Sequence, residues 1–96
     1  MFEQKVFGIF AVAPYDVTID PVNIQVQMGS SFQATCTARG SPVPTLSWHH
    51  DGLRVWSGPT LSISNSDVDD DGQYTCIATN TRGESRATME VEVRCK

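Results

Sequence analysis

The chain has 96 residues, enough for one domain and too few for two. Seven basic and eleven acidic side chains leave a net charge of -4, which argues against nucleic acid or an anionic membrane as the main partner. Hydrophobic residues make up 40% and charged residues 19%, a balance that excludes a disordered chain.

A chain of this size buries only about 60–65% of its unfolded surface, so a covalent staple would help its thin core. Three cysteines are present, Cys36, Cys76 and Cys95, and an odd number leaves at least one without a partner in the chain. None belongs to a Cys-x-x-Cys pair, and no second ligand cluster accompanies His49 and His50, so no metal is expected. No apolar run is long enough to cross a bilayer, so direct membrane insertion by this segment is not expected. Residues 1–13 stand apart from the rest. Val6 to Ala13 is almost wholly apolar, and Ala11-Val12-Ala13 has the small-x-small form of a signal cleavage site. The stretch is short for a signal peptide and carries Glu3 near its start. It reads as an extension, either an extra strand or the remnant of a preceding domain or linker, with residues 14–96 as a single domain.

From Val22 onward the hydrophobic pattern has period two. Val22, Ile24, Val26 and Met28 alternate with polar residues, as in a half-buried strand. Gly29-Ser30 is a turn signal. Phe32, Ala34, Cys36 and Ala38 then alternate with Gln33, Thr35 and Thr37, which puts Cys36 on the inward face. Gly40-Ser41-Pro42 and Pro44 break the chain. Leu46 and Trp48 follow with inward parity, Ser47 and His49 with outward parity. Asp51-Gly52 is a strong hairpin turn, because glycine tolerates the positive φ such turns need. Leu53 to Trp56 makes a short return strand, and Leu61 and Ile63 belong to the next. A polar corner runs from Asn65 to Gly72. Tyr74, Cys76 and Ala78 then share one face, with Thr75, Ile77 and Thr79 on the other. After a turn at Asn80 to Gly83, Ala87, Met89, Val91 and Val93 alternate with Thr88, Glu90, Glu92 and Arg94. No window shows a helical period. About seven short strands separated by turns predict an all-β antiparallel sandwich or barrel.

Cys36, Trp48 and Cys76 stand in the order cysteine, tryptophan, cysteine, and Asp70-Asp71-Gly72-Gln73-Tyr74-Thr75-Cys76 contains Asp-x-Gly-x-Tyr-x-Cys. Leu61-Ser62-Ile63 and Ala78-Thr79-Asn80 followed by Gly83 add two further motifs in order. Together these resemble the immunoglobulin superfamily, in its I-set or constant-like form found in cell-adhesion molecules, across Pro14 to Arg94. The resemblance implies a Greek-key β-sandwich with strand D short or absent. It also implies a disulfide between Cys36 and Cys76, which in the chain-entropy model contributes roughly 4 kcal/mol. Trp48 should pack against that bridge, with Leu61, Ile63, Asp70, Gly72 and Tyr74 as further structural positions. The Tyr74 hydroxyl should tie down the corner before its strand, with Asp70 helping to set it. An arginine pairs with this carboxylate in many relatives; only Arg54 is available, and its pairing with Asp70 is not expected.

Those residues build a fold and name no ligand. Recognition must come from outward parities. The candidate partner-binding surface is His49, Trp56, Ile77, Thr88 and Glu90, with Thr75 and Glu92 on the same sheet face. Ile77 is apolar where its neighbours are polar. Trp56, on the edge strand, is either a surface anchor, a common binding hot spot, or a lid over the thin end of the sandwich. His49 and His50 point to opposite faces and cannot share one ion. Asp67, Asp69, Asp70 and Asp71 lack calcium-loop spacing and read as a solvated turn. No catalytic set or phosphate loop is present in the sequence, so neither enzyme activity nor a cofactor is expected. Asn23, Asn65 and Asn80 all fail the glycosylation sequon at its third position. Cys95 shares the parity of Met89, Val91 and Val93, and either pairs with another domain or chain or remains a free thiol.

The resemblance leaves two settings. One is an extracellular tandem-domain adhesion or receptor protein binding a protein partner, homophilic or heterophilic, alongside neighbouring domains. Val12-Ala13-Pro14, read as lying just before the first strand, fits a junction between such domains. The other is a cytosolic module of a muscle or cytoskeletal scaffold, which the missing sequons and the spare thiol fit.

Overall fold

The computed structural model describes residues 11–95. The expected extension, residues 1–13, lies outside them up to residue 10, and Val12 and Ala13 belong to the first strand. Eight strands run in order: β1 (Val12–Asp20), β2 (Asn23–Gln27), β3 (Phe32–Ser41), β4 (Thr45–His50), β5 (Leu53–Ser57), β6 (Thr60–Ile63), β7 (Gly72–Asn80) and β8 (Gly83–Arg94). A single 3-10 turn at Val68–Asp70 lies between β6 and β7. The strands form a three-stranded sheet, β1-β3-β6, and a five-stranded sheet, β2-β8-β7-β4-β5. Gly58-Pro59 alone connects β5 to β6. The Asp51-Gly52 turn joins β4 to β5 with both residues at positive φ, 55° and 81°, the conformation that favours glycine.

Period two places the core. On β3, Phe32, Ala34 and Cys36 are buried; on β8, Met89, Val91 and Val93; on β7, Tyr74, Cys76 and Ala78. Cys36 and Cys76 join the sheets through a disulfide with a Cα–Cα distance of 6.5 Å. Trp48 lies opposite Cys76 in the β4–β7 register and is fully buried, its indole Nε1 donating to the Pro59 carbonyl at 3.3 Å. Leu61 is fully buried from β6. Ile63 is partly buried against this cluster, and Asp70 and Gly72 are half-buried.

Three features depart from the sequence reading. Val12-Ala13-Pro14, expected just before the first strand, lies within β1, whose alternation is broken by register shifts between Val12 and Tyr15 and between Tyr15 and Thr18. Asp16 within it has φ 53°, so neighbouring side chains no longer alternate and the strand leaves no period-two signal. Secondly, β2 pairs in parallel with β8, from Asn23↔Glu90 to Gln27↔Arg94, so the sandwich is not wholly antiparallel. Val22 and Met28 flank β2 and are exposed. Thirdly, β8 ends at Arg94, so Cys95 does not continue its inward parity and is an exposed free thiol.

The corner before β7 is held by two stacked rings. The Tyr74 hydroxyl donates to the Asp70 carbonyl at 2.7 Å. His50, which the sequence shows only as pointing to the face opposite His49, is buried and stacks on Tyr74 with centroids 4.2 Å apart and planes 7° from parallel. Its Nε2 lies 2.9 Å from the Asp71 carbonyl, which can only accept, so this nitrogen carries the proton. Gly72 beside it has φ 124°, and a Cβ there would lie 3.3 Å from His50 Nε2. The Asp70 side chain accepts from the Asp67 N–H at 2.8 Å, completing a capping box around the 3-10 turn. Arg54 lies on β5, opposite His49.

Two outcomes follow from this core. Trp48→Ala should cost about 3–5 kcal/mol, and Cys36→Ala a loss of similar order, in urea melts; parental midpoints would contradict the packing. The Tyr74 hydroxyl is pushed up from 10 to about 12, first by burial and then by the Asp70, Asp51 and Asp71 charges. Between these values the unfolded chain loses its phenolic proton while the folded one keeps it, so stability should hold below pH 10 and fall as pH rises toward 12. Tyr74→Phe should flatten that fall in alkaline thermal melts.

Candidate functional site

The outer face of the five-stranded sheet is the surface the sequence points to, and strand registers assemble it. Thr88 pairs with Thr75, which pairs with His49, which pairs with Arg54. Directly opposed residues share a face, so these four form one row across β8, β7, β4 and β5. The adjacent row runs Arg86, Ile77, Ser47 and Ser57. On the other side of the first row, Glu90 pairs with Gln73, whose amide donates to the Glu90 carboxylate at 3.2 Å. His49, Thr75 and Ile77 are half-buried, while Thr88, Glu90 and Glu92 are exposed.

Ile77 and Thr75 line a shallow depression of about 440 Å³ with His49, Asp51, Gln73 and Arg86. His49 Nε2 is 3.1 Å from the Ser47 hydroxyl, which fixes its ring against the sheet. Arg86 reaches the Glu84 carboxylate at 2.7 Å, an exposed pair of small net worth. The result is one aliphatic side chain ringed by polar groups that donate and accept hydrogen bonds. Such a surface suits non-covalent recognition. Among the described residues no group of three or more His, Cys, Asp or Glu could hold a metal ion.

Arg86 was missed in the sequence because the last alternating run is read from Ala87. It shares the parity of Thr88 and Glu90, so extending that run back by one residue finds it. Trp56 belongs elsewhere. It opposes Trp48, so it points to the inner side of its sheet, and a register shift between Trp48 and His49 separates it from the face occupied by Arg54. It remains 37% exposed on the edge strand.

The end where the chain enters the domain is fastened by Asn80. Its Nδ2 donates to the Val12 carbonyl at 2.8 Å and to the Pro42 carbonyl at 3.0 Å, and its Oδ1 accepts from the Arg82 N–H at 2.8 Å. Ser85 Oγ donates to the Pro14 carbonyl at 2.7 Å. Val43, next to Pro42, is 85% exposed.

Comparison with known proteins agrees with this architecture. The family model described as the immunoglobulin I-set domain matches residues 15–93. Hemicentin-1 of Mus musculus is 31% identical over 104 residues, an alignment spanning 95% of this chain and 2% of that protein. Neural cell adhesion molecule 1 of Homo sapiens is 33% identical over 87 residues, 78% of this chain and 10% of that protein. The chain therefore corresponds to a small part of either relative. A crystal structure of the N-terminal four Ig domains of Dscam1 isoform 4.44 superposes with a TM-score of 0.79 at 30% identity, covering 86% of this chain and 21% of that one. With the bridged cysteines, the buried indole and the tyrosine-held corner in place, the chain belongs to the immunoglobulin I-set family.

Proposed function

We propose that this domain is a non-catalytic protein-recognition module of an extracellular adhesion or receptor protein, and that it engages its partner through the outer face around Ile77. The observation that carries the reading is the half-buried Ile77 in a shallow depression lined by polar side chains on an otherwise hydrophilic sheet face. An aliphatic contact surrounded by hydrogen-bonding groups has the composition of an interface centre and its rim. The Cys36–Cys76 disulfide supports an oxidising compartment. A relative whose name includes cell adhesion supports the same setting. His49, Thr75, Thr88 and Glu90 would supply orientation, and Ile77 the apolar contact.

The test of the surface is Ile77→Asp, screened as a multimerised domain against displayed extracellular proteins. Binding should fall at least about tenfold while the thermal midpoint stays near that of the parent. A large loss of stability, or unchanged binding, would sink the assignment. A cytosolic scaffold module is the second reading, favoured by the exposed thiol of Cys95. Thiol counting on native protein, unfolded without reductant, separates the two: one free thiol is expected for the extracellular setting and all three for the cytosolic one.

A further inference from the structure

β5 is an edge of the five-stranded sheet and hydrogen-bonds to β4 alone, so its outer backbone groups have no strand partner among the described residues. All five of its residues are exposed, and three are large and apolar, Leu53 at 71%, Val55 at 42% and Trp56 at 37%. Clustered apolar exposure of this kind marks a surface that another molecule covers. Free edges are commonly guarded by lysine, a carboxylate, proline or a bulge, and of these β5 has only the bulge. That bulge leaves Val55, the middle residue, as the one position of the strand without a partner on β4. Arg54 and Trp56 flank it, and with Val55 and Ser57 they line one shallow depression of about 470 Å³.

We propose that β5 pairs antiparallel with β5 of a second copy of this chain, about a two-fold axis at Val55, joining the two five-stranded sheets edge to edge. The proposal rests on the domain being a protein-recognition module, but it uses an edge separate from the Ile77 depression. Main-chain hydrogen bonds supply the pairing, and the side chains select the register. With the axis at Val55, the two valines meet each other. Arg54 falls opposite the other copy's Trp56, and symmetry makes that contact a second time. The two side chains leave β5 on different sides, but both border the same depression, so guanidinium and indole can meet there in an attractive pair. Leu53 falls opposite Ser57. The nearest carboxylate, Asp51, falls opposite Pro59, so two chains of net charge -4 meet without setting acid against acid. Moving the axis to Arg54 sets the two guanidinium groups directly against each other. Moving it to Trp56 brings Pro59, which has no N–H to donate, opposite Leu53. Val55 is the centre that avoids both.

Five residues a side bury less than the roughly 1,200 Å² of a standard interface, so the dimer is weak, with a dissociation constant of about 0.1–1 mM. Sedimentation equilibrium on the 96-residue chain carrying Cys95→Ser, so that no thiol links two copies, should detect it. Backbone amide shifts followed by NMR on dilution should be largest over Leu53 to Ser57. In the same background, Val55→Lys and Val55→Glu should each self-associate at least about tenfold more weakly, because the axis sets like charge against like. An equimolar mixture of the two should recover the dimer, since only this register brings position 55 of one copy against position 55 of the other. A chain that is monomeric at about 1 mM, dilution shifts centred on Ile77, a dimer that survives either substitution, or a mixture of folded variants that stays monomeric would each overturn the proposal. The dilution shifts need no substitution at the edge and decide the location even where a variant is unstable. Ile77→Asp should leave self-association unchanged, so failure at the edge is distinguishable from failure of the recognition reading.

Discussion

Everything in this domain depends on the covalent tie between Cys36 and Cys76 and on the indole seated beside it. The tie joins the middle of β3 to the middle of β7, one strand from each sheet. A domain this small has little apolar surface to bury, so closing a loop of about 40 residues is a substantial fraction of its net stability. Trp48 fills the space next to the sulfurs, and its Nε1 is satisfied by the Pro59 carbonyl, so burying the largest side chain leaves no orphaned donor. The Pro59 carbonyl also accepts the indole proton while the Cys36 N–H reaches the same oxygen at 2.8 Å, which couples the bridge, the tryptophan and the β5–β6 connection.

A second tie works at one end of the sandwich. Tyr74 and His50, stacked, hold the carbonyls of Asp70 and Asp71 with one hydrogen bond each. The Asp71 carboxylate accepts from the Val93 N–H at 2.8 Å, carrying the clamp on to β8. Gly72 fits because a side chain there would crowd the imidazole and would be strained at its φ. The acidic run is therefore a piece of architecture, with Asp67 and Asp70 capping the 3-10 turn and Asp71 fastening a strand.

Most of the fold was legible because half-buried strands write their parity into the chain, and β3, β4, β7 and β8 do so plainly. β1 was not legible: its two register shifts, between Val12 and Tyr15 and between Tyr15 and Thr18, scramble parity, and its Asp16 looks like a loop residue. The parallel pairing of β2 with β8 was hidden for another reason. Alternation shows which residues face inward but not which neighbour a strand selects, or in which direction. His50 was undervalued because its burial comes from Tyr74 and Gly72, residues brought to it by the β4–β7 pairing. The sheet face around Ile77 follows from parity alone, whereas the displacement of Trp56 to the opposite side follows from a one-residue register shift that no local pattern announces.

The parallel pairing of β2 and β8 bears on how the domain transmits tension. β2 follows directly on the entering strand β1, and β8 is the last strand, running to Arg94. Stretching the chain by its two ends drags these neighbours lengthwise past each other, because they point the same way while being drawn in opposite senses. The rungs from Asn23↔Glu90 to Gln27↔Arg94 then share the load at once and do not open one after another like a zip. With the upstream end pinned by Asn80 and Ser85, the same geometry resists extension as a latch.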